Sequence, residues 1–441
     1  MDWRALCGDK LVTPQQAVAL IRPTDTVYIA GIQATPFALC QALVERQDTL
    51  RGLRVNTLVS FYDWDTPGLS DAFRLESWYL SRRERKLMHK GGLDYIPVSY
   101  FRAEALPHGI DDLDVYMVSV SPPDRHGYCS YGTSVGMSPL MTKQARTIIA
   151  EIDPSFIRTG GENYLHISAI DRCVERPPSV SPPTISPEVY SQEKQDAIDT
   201  ICMSIANELI QDGDTIQIGA GDMTSPLPAY LYGKNDLGMQ TEIIPPGVVG
   251  LVQAGVLTGT NKTRHTGTVV GTGFHPMLSP EELDYIDANP VFELYDFNYT
   301  DDIRLLCQDP RFTAINNALS IDLTGQVASE SIGPQQFTGP GGQTAFCIAA
   351  SLAGSKSIVA LPSSSLSGPD RRRISRIVPT LAPGTVVTTP RAFVDYVVTE
   401  YGIATLRGKN LRERAQALSA VAHPDFRDEL RTQAECLHGA G

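Results

Sequence analysis

Two segments of this chain resemble each other. Asp25-Thr26-Val27-Tyr28-Ile29-Ala30-Gly31 and Asp214-Thr215-Ile216-Gln217-Ile218-Gly219-Ala220-Gly221 each open on a turn residue, run through β-branched and apolar positions, and end in glycine. Each then passes a proline, Pro36 or Pro226, into a helical pattern, and each follows another such pattern, around 14–21 and 192–211. A short continuous apolar run suits a strand buried on both faces, and such strands belong to parallel sheets covered by helices. The duplication therefore restricts the chain to an α/β class with two similar α/β domains and mostly parallel sheets. A weaker pair matches Val115-Tyr116-Met117-Val118-Ser119-Val120-Ser121, before Asp124, with Ala318-Leu319-Ser320-Ile321-Asp322, before Gly325.

With 441 residues the chain exceeds one ordinary hydrophobic core. The break falls in the stretch from Arg176 to Pro187, where five prolines deny the backbone both helix and interior strand. The expected domains are 1–178 and 188–441, joined by a Pro-rich linker over 179–187. Ligands collect at the carboxyl ends of parallel strands, and a cleft between two such domains is the default site.

A formal net charge of −13 opposes nucleic acid and anionic lipid, so neither is an expected partner. The opening Met1-Asp2-Trp3-Arg4-Ala5-Leu6-Cys7 lacks the pattern of a secretory signal and no apolar run has membrane-spanning length, which gives a cytoplasmic expectation. Eight cysteines without a CxxC pair read as reduced core residues. The histidines show no HxH or HExxH grouping, and no metal site is expected.

Two stretches carry chemistry. Leu237-Gly238-Met239-Gln240-Thr241-Glu242 ends in a carboxylate, and Pro245-Pro246 stop the strand just beyond it, as suits an exposed strand end. Far along the chain, Thr338-Gly339-Pro340-Gly341-Gly342-Gln343 precedes a helix of small apolar residues, Ala345 to Leu352. Glycines before a helix start leave N–H groups uncovered for a phosphate or an oxyanion. A nucleophilic carboxylate plus such donors is what acyl transfer through a glutamyl intermediate needs. Taken singly, each has a plainer reading: Glu242 is one of 50 acidic residues, and many glycine turns only turn.

Other patterns are weaker. Gly219-Ala220-Gly221 lacks the third glycine of a dinucleotide fingerprint, Thr224 standing in its place. Ser363-Ser364-Ser365 with Arg371-Arg372-Arg373-Ile374-Ser375-Arg376 is the densest cationic stretch, suited either to a ligand with several phosphates or to a solvated loop face. Asp124-Arg125-His126 and Thr399-Glu400-Tyr401 offer polar groups at strand ends, but no GxSxG elbow exists to complete a serine hydrolase.

Taken together, these motifs resemble the acetyl-CoA hydrolase/CoA-transferase family, which includes 4-hydroxybutyrate CoA-transferases. The resemblance covers almost the whole chain, and further stretches that carry it are Ile315-Asn316-Asn317 to Val327, Ser375-Arg376-Ile377-Val378-Pro379, Val398-Thr399-Glu400-Tyr401-Gly402 and Ala422-His423-Pro424-Asp425-Phe426-Arg427. It implies a CoA-transferase (NagB/RpiA-like) architecture with the active site in an interdomain cleft and Glu242 as nucleophile. Gly341 is the implied oxyanion donor in the C-terminal domain. The other donor is implied at Gly31-Ile32-Gln33, from Ile32 or Gln33. Coenzyme A contacts are expected at Gly339, Gly341, Gly342, Gln343, Ser364, Arg373 and Arg376. The chain departs from the family pattern at three places: Gln240 replaces histidine, Pro245-Pro246 stand where Ser-Asp is usual, and Ala345 replaces aspartate.

The implied reaction is ping-pong transfer of CoA from an acyl-CoA to a small carboxylic acid, of the acetate, 4-hydroxybutyrate, succinate or itaconate kind, through a glutamyl-CoA thioester. No permanently bound cofactor is implied, CoA being a substrate, and the expected assembly is a homodimer or higher homo-oligomer. Two alternatives stand beside it: an acyl-CoA hydrolase using the same glutamate, and a non-catalytic acyl-CoA-binding relative.

Overall fold

Asp25 and Asp214 close identical turns at the start of the two repeats. The Asp25 carboxylate accepts from the Arg22 N–H at 2.9 Å while the Asp25 N–H donates to the Arg22 carbonyl at 3.0 Å. Asp214 does the same with Gln211, at 2.9 and 3.1 Å. Each turn launches a strand that is central in its own parallel sheet. The computed structural model describes residues 2–101, 113–180, 188–368 and 370–439.

The chain divides into two units, one of Met1–Ser186 with Val270–Thr300, the other of Pro187–Val269 with Asp301–Gly441. The first contains strands β1 (Thr26–Ile29), β2 (Leu53–Thr57), β3 (Phe73–Ser77), β4 (Asp94–Tyr95), β5 (Val115–Val120), β6 (Thr147–Ile152) and β7 (Arg172–Glu175). They form one sheet in the order β7-β6-β5-β1-β2-β3-β4, parallel throughout. Every residue of β1 and β5 is buried, as a strand covered on both faces requires. Val27, Val55, Leu75, Met117 and Ile149 meet Leu39 and Leu43 of helix α2 (Phe37–Val44) in one apolar cluster, which also takes in Val18 of α1 (Pro14–Val18). Tyr28 packs on Trp78 and Tyr116.

The second unit holds β8 (Thr215–Ile218), β9 (Gly238–Gln240), β10 (Phe312–Asn317), β11 (Ser357–Ala360), β12 (Tyr396–Thr399) and β13 (Gly402–Thr405). Within the unit they run in the order β13-β12-β11-β10-β8-β9, parallel except for the β12–β13 hairpin. Helix α3 (Gln192–Ser204) precedes them, and α4 (Gln343–Leu352) packs Phe346 and Ala349 against Phe312 and Ala314 of β10. Val359, Leu361, Val397 and Leu406 form a second cluster with Leu418 of α5 (Leu411–Ala420) and Leu430 of α6 (Arg427–His438). No helix among the described residues is long and apolar enough to cross a membrane.

The main repeat holds, because β1 lies between β5 and β2 as β8 lies between β10 and β9. The weaker pairing does not. The counterpart of Val115–Val120 is Phe312–Asn317; Ser320–Asp322 instead joins a small sheet with Val327–Ala328 and Ile377–Val378. Asp322 takes the Thr324 and Gln326 N–H groups at 2.9 and 3.0 Å, so the acidic turn taken as a strand terminus belongs to the next hairpin.

Two further differences concern chain path and cysteines. Residues 270–300, expected with 188–441, group with the first unit: Phe292–Leu294 pairs with Gly160–Gly161, and the Phe297 N–H reaches the Gly136 carbonyl at 3.0 Å. Of the proposed linker 179–187, residues 181–187 lie outside the described residues. Six cysteines are buried as expected, but Cys307, in the turn after the helix Ile303–Leu306, is half-buried, and Cys436, on α6, is exposed.

Candidate active site

Glu242 is delivered by β9 and held by its neighbours in chain and space. The β9 register on β8 pairs Gly238 with Thr215 and Met239 with Ile216. A side chain at Gly238 would strike the Cγ of Lys262, and the buried Lys262 ammonium donates to the Met239 and Thr268 carbonyls, both at 2.9 Å. Beyond β9, the Thr241 hydroxyl lies 3.3 Å from the Ile218 N–H and 3.2 Å from its carbonyl, clasping the end of β8. Glu242 emerges from that clasp, half-buried, before Ile243–Ile244 and the two prolines.

The glycine turn meets it. Gly341 has φ +55, a left-handed conformation that glycine adopts without strain, and Gly342 then caps α4. The Gly342 N–H donates to the Glu242 carboxylate, and the Asp301 carboxyl makes a second hydrogen bond to it. A Cβ on Gly342 would come within 2.5 Å of Glu242 Oε2 and would also strike Asp301 Oδ2 and the Phe346 ring. Only glycine permits this approach of backbone to carboxylate. Burial pushes the Glu242 pKa up to about 7, against the opposing pull of those two hydrogen bonds.

The other predicted residues fall as follows. Gly339 is buried, and the buried Gln343 opens α4 with an amide Nε2 that has no acceptor among the described residues. Ser364 accepts from Arg373 at 2.9 Å, and Arg373 also pairs with the exposed Glu193 at 2.7 Å. Arg376 donates to the Leu319 carbonyl at 2.7 Å, and burial pulls its pKa down. In the first unit, Ile32 has φ +53 and gives its N–H to the Val59 carbonyl at 2.8 Å, so of the two donors considered at that turn Ile32 is already engaged. Gln33 sends its side-chain amide to the Phe274 carbonyl at 2.9 Å.

A buried ion network steadies that turn. Glu151, fully buried, accepts from the Ala38 and Leu39 N–H groups at the start of α2 and from Arg176 at 2.7 Å, while Arg176 also pairs with Asp153 and donates to Ser119 at 3.0 Å. Ser119 in turn donates to the Thr35 carbonyl at 3.1 Å. Glu400 and Asp124, the polar groups considered for hydrolase chemistry, hold local structure: Glu400 takes the Ser363 N–H and hydroxyl, and Asp124 takes the His126 and Tyr128 N–H groups. No cluster able to hold a metal ion is present among the described residues.

Sequence reasoning missed Asp301. Nothing local distinguishes it in Tyr299-Thr300-Asp301-Asp302, and only folding carries it to Glu242.

This arrangement can be set beside known proteins. The model of the acetyl-CoA hydrolase/transferase N-terminal domain matches residues 2–183, and that of the C-terminal domain matches residues 279–434. A 4-hydroxybutyrate coenzyme A transferase from Clostridium kluyveri is 36% identical, covering 98% of this chain and 99% of its own. The chain belongs to the acetyl-CoA hydrolase/transferase family. Another relative, the butyryl-CoA:acetate CoA-transferase of Anaerostipes caccae, is 33% identical across 99% of this chain and 98% of its own. Among solved structures, RipA from Yersinia pestis superposes with a TM-score of 0.88 at 31% identity over all of both chains. A 4-hydroxybutyrate CoA-transferase from Porphyromonas gingivalis gives 0.79 at 30%, covering 99% of this chain and all of the other. These full-length likenesses fix the α/β CoA-transferase fold for this family member.

Proposed function

We propose that this protein is an acyl-CoA:carboxylate CoA-transferase working by ping-pong transfer through Glu242. The observation that carries the reading is the contact of the Glu242 carboxylate with the Gly342 N–H at the start of α4. A carboxylate becomes an effective nucleophile when poorly hydrated, and backbone donors beside it are placed to meet a developing oxyanion. Glu242 attacks the thioester carbonyl, the C–S bond breaks, and CoA leaves as thiolate from an acyl-glutamyl anhydride. The thiolate then attacks the glutamyl carbonyl, releasing the first acid as carboxylate and leaving glutamyl-CoA thioester. A second acid reverses both steps. One thioester is exchanged for another, so no nucleoside triphosphate is consumed.

The turn Gly339 to Gln343 faces the reacting thioester in this reading, with Gly341 or Gly342 donating. The hairpin that carries Ser364 and Arg373, with Arg376 just beyond its second strand, receives the CoA phosphates. Arg373 is held by an exposed pair with Glu193, worth little in water and open to displacement by a phosphate. The acids are small carboxylates of the kind named for the relatives, such as 4-hydroxybutyrate, butyrate or acetate. The enzyme is expected to act in the cytoplasm as a homodimer or higher homo-oligomer.

The test incubates the protein with acyl-CoA, with and without a small carboxylate, then reduces the trapped thioester with borohydride and maps the modified peptide. The expected outcome is carboxylate-dependent exchange with the modification on Glu242, and loss of exchange by about a thousandfold or more in Glu242→Gln. Thioester loss that ignores added acid overturns transfer in favour of hydrolysis.

A further inference from the structure

We propose that Asp301 is a positioning residue for the nucleophile: it keeps the single proton of the Glu242 and Asp301 carboxyl pair and donates it to Glu242 as a hydrogen bond. The inference rests on the reading of Glu242 as nucleophile.

Two carboxyl groups converge on one Cα. A Cβ placed on Gly342 would strike both Asp301 Oδ2 and Glu242 Oε2, and Asp301 has no solvent exposure. Like charges in such contact inside a protein do not both ionise, so near neutrality the pair carries one proton. The surroundings decide which oxygen keeps it. Glu242 also accepts the Gly342 N–H at the N-terminus of the ten-residue α4, where the helix dipole favours the anion. Glu242 is thus the ionised member and Asp301 the acid. Phe346, the third group over Gly342, carries no charge. Asp302, next in the chain, is turned to Arg304, with contacts of 2.6 and 2.9 Å. Among the described residues, Asp301 is the ionisable side chain found against Glu242.

The proton inventory of the transfer then closes without an external base. When Glu242 attacks the thioester, its electron pair forms the new C–O bond and the C–S pair leaves on CoA thiolate. The proton stays on Asp301 throughout. The negative charge passes from Glu242 to the thiolate while the anhydride stands, leaves with the released carboxylate, and returns to Glu242 when the second acid has reversed both steps. The shared hydrogen bond also fixes one Glu242 oxygen, leaving the other to attack.

The test compares wild type, Asp301→Ala and Asp301→Asn by the pH dependence of kcat/KM and by borohydride trapping. Removing the donor makes Glu242 harder to ionise, so Asp301→Ala moves the acid limb upward by about one pH unit or more, a loss of roughly tenfold on that limb. Asp301→Asn retains an N–H donor and returns the limb to within about half a unit of wild type. Both variants still carry the trapped thioester on Glu242. An Asp301→Ala limb that overlays wild type, or an Asp301→Asn limb that fails to return, overturns the proposal. If Asp301→Ala does not fold, Asp301→Asn decides alone: an unmoved limb supports the role and a limb moved by about a unit refutes it. Trapping on a residue other than Glu242 in wild type defeats the nucleophile assignment instead.

Discussion

At Glu242 two opposing effects set the titration of the carboxyl. Burial raises the carboxyl to about 7, while the Gly342 N–H and Asp301 hold it from going further. In the proposed transfer attack needs the ionised form, so kcat/KM should climb through about pH 7 and level above it, read by CoA exchange from about pH 5 to about pH 9. Stability should run the other way. The folded pKa is above the ordinary 4.5, so the group's contribution is intact below that value and is lost as pH rises through about 7. Glu242→Gln removes the cost of the buried charge. Relative to wild type it should gain ~1–3 kcal/mol in urea unfolding between about pH 4 and about pH 8; a difference independent of pH would contradict the burial argument. In the sequence Glu242 was one carboxylate among 50 acidic residues, marked only by the prolines after it, and the family resemblance is what singled it out. Its raised pKa was not legible there, since that comes from burial, and Asp301, which opposes the rise, is an acid with no local mark.

The element that decides the site is the turn from Gly341 into α4. Gly342 is locked by proximity, with Glu242, Asp301 and Phe346 all in the space a side chain would take. Gly342→Ala should therefore push the carboxylate off its N–H, lowering exchange by about a hundredfold or more and global stability by ~1–3 kcal/mol. Borohydride trapping and urea unfolding on the same preparation check both, and a variant with wild-type trapping would contradict the geometry. That a glycine run opens this helix was visible from composition alone. Which glycine touches the carboxylate was not: Gly341 makes the bend with its φ of +55, and the hydrogen bond to Glu242 comes from Gly342. The same limit governs the cationic hairpin. Its arginines were countable, but the pairing of Arg373 with Glu193 and the burial of Arg376 depend on contacts no spacing encodes.

For the whole molecule, the duplicated strand gave the architecture, and what it concealed is an exchange of chain between units. Two contiguous halves follow naturally from a proline-rich boundary, yet residues 270–300 complete the first unit. Phe292 is fully buried and packs edge-to-face with Phe274, its strand pairs with Gly160–Gly161, and the Ala288 N–H reaches the Arg158 carbonyl at 2.7 Å. Cutting at the proline stretch thus strips the first unit of a strand and aromatic packing. A fragment of residues 1–186 should fail to unfold cooperatively on heating, exposing apolar surface that burial of even one Phe side chain stabilises by ~2–3 kcal/mol. Joining 270–300 to its C-terminus by a flexible Gly/Ser linker should restore a cooperative transition, followed by near-ultraviolet circular dichroism. A bare 1–186 fragment with a sharp native-like transition would show that the first unit does not depend on the returning segment, and that the proline stretch is a true boundary.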